Sequence, residues 1–130
     1  MKLAHLSDPH LLDLNGVPWM TLLSGKRLSG MATLILRRRK IHDLSVAQRI
    51  AQQTQNRSID HVMVSGDLTN LALEQEMQRA LIWLRDDVAR PAEEVTIVPG
   101  NHDRYTPGAA QSQRFERTFT PYLTRNSELL

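Results

Sequence analysis

Three short apolar segments, each ending abruptly in a polar turn, constrain the fold of this chain more than any other feature. They occupy residues 3–6, 59–64 and 95–98, and the last is rich in β-branched residues. Each is followed by residues that interrupt a strand, since proline cannot continue a hydrogen-bonded ladder and glycine favours turns. The three turn sequences are Ser7-Asp8-Pro9, Ser65-Gly66-Asp67 and Pro99-Gly100-Asn101-His102-Asp103. We therefore predict three buried strands, each leading into a polar loop.

The two stretches between these strands have the apolar spacing of amphipathic helices. Asn70 is a plausible N-cap for the second of them. Strands that alternate with helices predict an α/β fold in which parallel strands are joined by crossover helices. The first stripe is Leu44, Ala47, Ile50, Ala51 and Thr54, and the second is Leu73, Met77, Ala80, Leu81, Leu84 and Val88.

Polar residues with metal-binding side chains follow all three predicted strands. In parallel α/β sheets ligands bind outside the carboxyl ends of the strands, so residues that are distant in sequence should converge there. Taken singly, each residue has an ordinary explanation as a turn former, a helix cap or a residue that tolerates left-handed backbone. Together they favour a metal site. The converging set is Asp8, His10, Asp67, Asn101 and His102.

The residue types suit a particular class of ion. Asp8 and His10 can face one cation if the chain is extended there, because alternate residues share a side. Asp67 can bridge two cations through its two oxygens, and Asn101 offers a neutral oxygen. Mixed nitrogen and oxygen ligands favour Mn, Fe or Zn over calcium, and the sequence does not choose among the three. Cysteine is absent from the chain, which excludes thiolate ligands.

Three motifs in this chain resemble the first three signature motifs of calcineurin-like metallophosphoesterases. The resemblance covers most of residues 1–103 and lies nearest to the branch that includes cyclic-nucleotide phosphodiesterases. It implies the N-terminal half of a metallophosphoesterase-like α/β sandwich. It also implies a metal-dependent phosphoric ester hydrolase, either a phosphodiesterase or a phosphatase. The motifs are Asp8-Pro9-His10, Gly66-Asp67-Leu68-Thr69-Asn70 and Gly100-Asn101-His102-Asp103.

The resemblance assigns a role to each of these residues. Asp8 and His10 would bind the first of two divalent metal ions, Asp67 would bridge the two ions, and Asn101 would bind the second. The substrate would be a phosphate ester, and nucleotides are among the candidates. His102 would contact its phosphate and would stabilise the developing charge or protonate the leaving oxygen. Asp103 would orient the imidazole of His102.

The chain departs from the family pattern after the third motif. Family members have two further histidine-bearing segments downstream, whereas this 130-residue sequence has no histidine after His102. We therefore expect residues 1–130 to form a single, C-terminally incomplete metallophosphoesterase domain, inactive by itself. The alternative is a noncatalytic metal-binding or anionic-surface interaction module.

A basic block formed by Arg37, Arg38, Arg39 and Lys40 stands out in a chain whose net charge is only +2. It is either a solvated face or a site for an anionic partner. It ends a long segment, residues 11–40, that we expect to form a loop or cap insertion. The apolar run at 31–36 is far shorter than the roughly 20 residues that span a bilayer. The N-terminus lacks the apolar stretch of a secretory signal, which predicts a cytoplasmic location.

Overall fold

The computed structural model describes residues 1–13, 15–16, 18, 44–55, 58–104 and 106–123. Within them, one sheet contains the strands β1 (Leu3–Ser7), β2 (His61–Ser65) and β3 (Val95–Val98) in the order β1-β2-β3. Both strand pairs are parallel, which confirms the predicted α/β class. Ser7 is the register partner of Ser65, and Ser65 is the partner of Val98. All three strands therefore end at the same edge of the sheet.

The two predicted helices are present. Helix α1 is Leu44–Gln55, and α2 is Glu74–Ile82, which continues as a π-helical segment over Trp83–Val88. The π-helical segment ends at Ala89, whose φ of 51° is left-handed, and a short 3-10 turn, Ala92–Glu94, leads into β3. Three short helices follow β3: α3 (Pro107–Gln111), α4 (Arg114–Thr118) and α5 (Thr120–Leu123).

Helix α2 is not capped as the sequence predicts. Its N-cap is Leu73 rather than Asn70, because the Asn70 side chain is hydrogen-bonded to the carbonyl oxygen of His10. Inside the first turn of α2, the buried carboxylate of Glu76 accepts the backbone N–H groups of Leu71 and Leu73. The motif after β2 therefore remains a loop over its full length.

The hydrophobic core lies on one face of the sheet. Alternate residues of β2, Val62 and Val64, are fully buried, while Met63 between them is 39% exposed. This period of two is expected when a sheet has one covered face. On the uncovered face, Leu3 and Val98 are also exposed. The buried core residues from the helices and loops include Leu11, Leu68, Met77, Trp83, Leu84, Val88, Phe115 and Phe119.

Some predictions fall outside the described residues. Most of the segment 11–40 does, and so does the basic block at its end. Within the part of the chain that the structure describes, no helix is long and apolar enough to cross a membrane.

Candidate metal centre

Asp8, His10 and Asp67 bring one ligand atom each into a single cluster. These three atoms lie within 4.8 Å of one another. Nε2 of His10 is 4.0 Å from Oδ1 of Asp8 and 4.0 Å from Oδ2 of Asp67. Metal–ligand bonds of about 2.0–2.2 Å place donors on one ion roughly 3 Å apart. The two pairs with His10 therefore need a contraction of about 1 Å, and no pair in the cluster needs more than about 2 Å, which side-chain rotation can supply.

All three cluster residues have left-handed backbone conformations. Their φ angles are 52° for Asp8, 46° for His10 and 43° for Asp67. The extended chain that would let Asp8 and His10 share a side is therefore not present, and the two residues reach the cluster with positive φ at both positions. For residues with a Cβ atom this region costs on the order of 1 kcal/mol each, and such strain concentrates at functional sites.

Backbone hydrogen bonds extend the β1–β2 pairing beyond the strands and hold the first two loops together. The N–H of Asp8 donates to the Ser65 carbonyl at 3.4 Å, and that of His10 donates to the Asp67 carbonyl at 3.0 Å. The N–H of Leu11 then donates to the Leu68 carbonyl at 2.7 Å. The loop that carries Asp8 and His10 therefore runs directly beside the loop that carries Asp67.

The loop after β3 contacts Asp67 on the side opposite the loop after β1, because β2 lies between the two strands. The backbone N–H of His102 donates to Oδ1 of Asp67 at 2.8 Å, and the backbone of Gly100 lies directly against the same carboxylate. Asn101, which is exposed, lies between these two contacts. The structure thus places the third motif at the edge of the cluster, and a ligand role for the Asn101 side chain stays a prediction.

His102 and Asp103 both contact the loop after β2. Nδ1 of His102 is hydrogen-bonded to the backbone carbonyl of Asn70 at 2.7 Å, so Nδ1 carries the hydrogen, because a carbonyl can only accept. Its ring meets the His10 ring edge to face, with centroids 5.3 Å apart. The carboxylate of buried Asp103 accepts from the N–H groups of Leu68, Thr69 and Gly100 and from the Thr69 hydroxyl. Asp103 therefore joins the loops after β2 and β3, and Asn70 provides one contact to the His102 ring. The role of Asp103 in orienting that ring stays a prediction.

Burial controls the protonation of the central imidazole. Desolvation lowers the pKa of His10 below its ordinary value of 6.5, even though the negative charge of Asp67 opposes this change. His10 is consequently neutral at physiological pH, which is the form that binds a metal ion. Burial also raises the pKa of the Asp103 carboxyl, against the four hydrogen bonds that stabilise its ionised form.

The donor set fits a divalent transition metal ion. Two carboxylates supply charge, one neutral imidazole supplies a nitrogen ligand, and their spacing requires little adjustment. The buried positions of His10 and Asp67 also limit competition from bulk water, while Asp8 leaves the cluster open on one side.

A parallel sheet with a carboxylate–imidazole–carboxylate cluster at its carboxyl edge defines an α/β protein with a candidate metal site. A family model described as calcineurin-like phosphoesterase matches residues 1–129, and the chain belongs to that family. Members of the family are generally metal-dependent phosphoric ester hydrolases. Comparison with curated proteins and with solved structures gives no match.

The sequence did not predict the contacts of two residues near the site. The Asn70 amide contacts His10, 60 positions earlier in the chain, and the only sequence signal for it is its place in the second motif. Glu76 is fully buried. The sequence feature that could have indicated its role is an acidic residue in the first turn of a helix, beside the apolar stripe. Burial raises the pKa of Glu76 to about 7, although backbone N–H groups, chiefly that of Leu71, favour its ionised form.

Proposed function

We propose that the chain is part of a phosphoric ester hydrolase, either a phosphodiesterase or a phosphatase, with a binuclear metal centre. Asp8 and His10 would hold the first ion, Asp67 would contribute to both ions, and Asn101 would hold the second. The observation that carries this proposal is the cluster of Asp8, His10 and Asp67 in a chain of this family. Mn, Fe and Zn are the candidate ions.

A bound divalent ion supplies a Lewis acid for a phosphoryl oxygen and activates water for attack. The residues of the chain position that chemistry. Asp67 is held by the backbone N–H of His102, so the loop after β3 keeps its carboxylate aimed at the cluster. Asp8, with 58% of its side chain exposed, lies on the side from which a substrate can approach.

His102 is the candidate general acid. It lies beside His10 at the rim of the cluster, where it can contact a phosphate oxygen. Because Nδ1 donates its hydrogen to the Asn70 carbonyl, the neutral ring has no hydrogen on Nε2. His102 can therefore protonate a leaving oxygen through Nε2 only in its doubly protonated form. In the neutral form, Nε2 can only accept a proton or a hydrogen bond.

The substrate is proposed to be a phosphate ester, with nucleotides among the candidates. The block Arg37, Arg38, Arg39 and Lys40, which lies outside the described residues, is proposed to attract its negative charge. The cytoplasmic location stays a prediction from the sequence. So does the expectation that a complete active site needs further histidines, which this sequence lacks after His102.

Metal binding by the chain itself tests this proposal. Titration with Co²⁺, followed by visible absorption and by calorimetry, should show saturable binding. Asp67→Ala should weaken that binding by at least about 100-fold, because it removes a ligand, and even loss of a partner of a ligand costs about 10–100-fold. His102→Ala should leave binding largely intact, since the backbone N–H to Asp67 remains.

The exposed carboxylate of Asp86 provides a matched control. It is paired with Arg85 in the π-helical segment, so Asp86→Ala removes the same charge outside the cluster. Equal losses of Co²⁺ affinity in Asp86→Ala and Asp67→Ala would contradict the proposed site. Equal losses in Asp67→Ala and His102→Ala would contradict the assignment of ligand and acid.

A further inference from the structure

We infer that Asn70 is a positioning residue for the metal ligand His10. The inference rests on the proposed metal centre and adds to it a residue that binds no ion. Nδ2 of Asn70 donates to the carbonyl oxygen of His10 at 2.9 Å, and Asn70 is only 1% exposed. The hydrogen bond is thus shielded from water and joins the second motif to the first.

The peptide group between His10 and Leu11 is held at both ends. Its carbonyl accepts from Nδ2 of Asn70, and its N–H, which belongs to Leu11, donates to the Leu68 carbonyl at 2.7 Å. Fixing this plane fixes the ψ angle of His10, a residue whose φ of 46° is already unfavourable. Without the amide of Asn70, His10 can relax toward a right-handed or extended conformation. Its imidazole would then turn away from Asp8 and Asp67.

The Asn70 side chain is not used to cap a helix. Helix α2 begins at Glu74 with Leu73 as its N-cap, and Glu76 accepts the N–H groups of the preceding loop. Moreover, Oδ1 of Asn70 is buried and has no hydrogen-bond partner within the described part of the chain. Burial of an unsatisfied amide oxygen is unfavourable. The asparagine is therefore retained despite an unsatisfied amide oxygen, and the property that it provides is the donor to the His10 carbonyl.

The same residue also reaches the second histidine of the site. Its backbone carbonyl accepts the hydrogen of Nδ1 of His102 at 2.7 Å. A side-chain substitution leaves this carbonyl in place. A change at position 70 can therefore separate the contact with His10 from the contact with His102.

The test compares Co²⁺ binding by wild-type chain and by Asn70→Leu, which keeps the volume and removes the donor. We expect the affinity to fall by about 10–100-fold, the range found when a partner of a metal ligand is lost. The intensity of the Co²⁺ visible bands should fall as well, because a displaced imidazole changes the coordination. A control variant, Val88→Ala, removes buried volume far from the cluster and should bind Co²⁺ as tightly as the wild type while folded.

Asp67→Ala separates the two ways in which this inference can fail. If Asp67→Ala weakens Co²⁺ binding and Asn70→Leu does not, the positioning role is refuted and the metal centre stands. If neither variant changes Co²⁺ binding, the metal centre itself is refuted. Should Asn70→Leu fail to fold by circular dichroism, Asn70→Ser answers the same question, because its hydroxyl is too short to reach the His10 carbonyl; unchanged affinity in a folded Asn70→Ser overturns the inference.

Discussion

The backbone of Gly100 lies against the carboxylate of Asp67 so closely that no side chain fits between them. A Cβ atom at position 100 would overlap Oδ1 and the backbone nitrogen of Asp67 and would lie 2.8 Å from Cγ. Because part of this contact is with backbone, a rotamer change of Asp67 cannot relieve it. The approach of the loop after β3 to the cluster therefore depends on glycine.

Gly100→Ala should consequently destabilise the chain by about 1–3 kcal/mol, as overpacking does, and should weaken Co²⁺ binding as Asp67 shifts. Urea denaturation and Co²⁺ titration measure the two effects. Gly108→Ala is the matched control, because a Cβ atom there meets nothing within 4 Å and the residue lies in helix α3. That variant should be as stable as the wild type or more so. Similar behaviour of the two variants would contradict the close contact.

Asp103→Asn should destabilise the fold by on the order of 3 kcal/mol. The amide would turn an N–H₂ group toward two backbone N–H donors, leaving them buried and unsatisfied. Thermal or urea unfolding measures the loss. Asp86→Asn, at an exposed position, should change stability little. If Asp103→Asn were as stable as Asp86→Asn, the carboxylate would not be the tie between the two loops.

Glu76 should make the stability of the fold decrease as pH rises from about 4.5 to about 7. The unfolded carboxyl has a pKa near 4.5, whereas burial raises the folded pKa to about 7, so the folded state retains its proton over this interval. One pKa unit corresponds to about 1.4 kcal/mol, which gives a loss of about 3 kcal/mol across the interval. Below pH 4.5 both states are protonated and the effect vanishes.

The measurement is the free energy of unfolding of wild type and Glu76→Gln from pH 4 to pH 8. The variant should gain stability relative to the wild type as pH rises, by about 3 kcal/mol in total. Glu93→Gln makes the same chemical change at an exposed position and supplies the reference slope. Parallel pH profiles for Glu76→Gln and wild type would show that the buried carboxyl does not retain its proton.

The 130-residue chain by itself should hydrolyse bis(p-nitrophenyl) phosphate slowly or not at all. The family resemblance places further imidazoles after the third motif, and the sequence has no histidine beyond His102. Assays with Mn²⁺, Fe²⁺ or Zn²⁺ measure this, with Asp67→Ala as the background. Robust turnover that depends on Asp67 would show that the described motifs suffice.

The basic block gives a prediction about affinity. Charge reversal across Arg37, Arg38, Arg39 and Lys40 should weaken binding of an anionic substrate or partner and should reduce its salt dependence. Metal content should stay constant, because none of these four residues belongs to the proposed ligand set. Unchanged affinity and salt dependence would identify the block as a solvated face.

The sequence predicts the sheet well because strand ends leave strong local signals. Apolar runs that stop at Pro9, Gly66 and Pro99 give both the strands and their common edge, and the cluster residues are of types whose chemistry is evident from their side chains. The contacts of Asn70 and Asp103 are harder to predict. Each depends on backbone groups more than 30 positions away, which no local pattern encodes. The left-handed backbone of Asp8 and His10 is equally hidden, because neither residue is glycine.

The left-handed conformations of Asp8, His10 and Asp67 also bear on how this chain can evolve. Glycine at any of the three positions would relieve backbone strain but would lose a ligand. Under selection for folding alone, these three positions should therefore be substituted early, while the residues of the buried core are retained. In laboratory evolution toward higher melting temperature without added metal, glycine should accumulate at these positions, and the presence of metal during selection should prevent it.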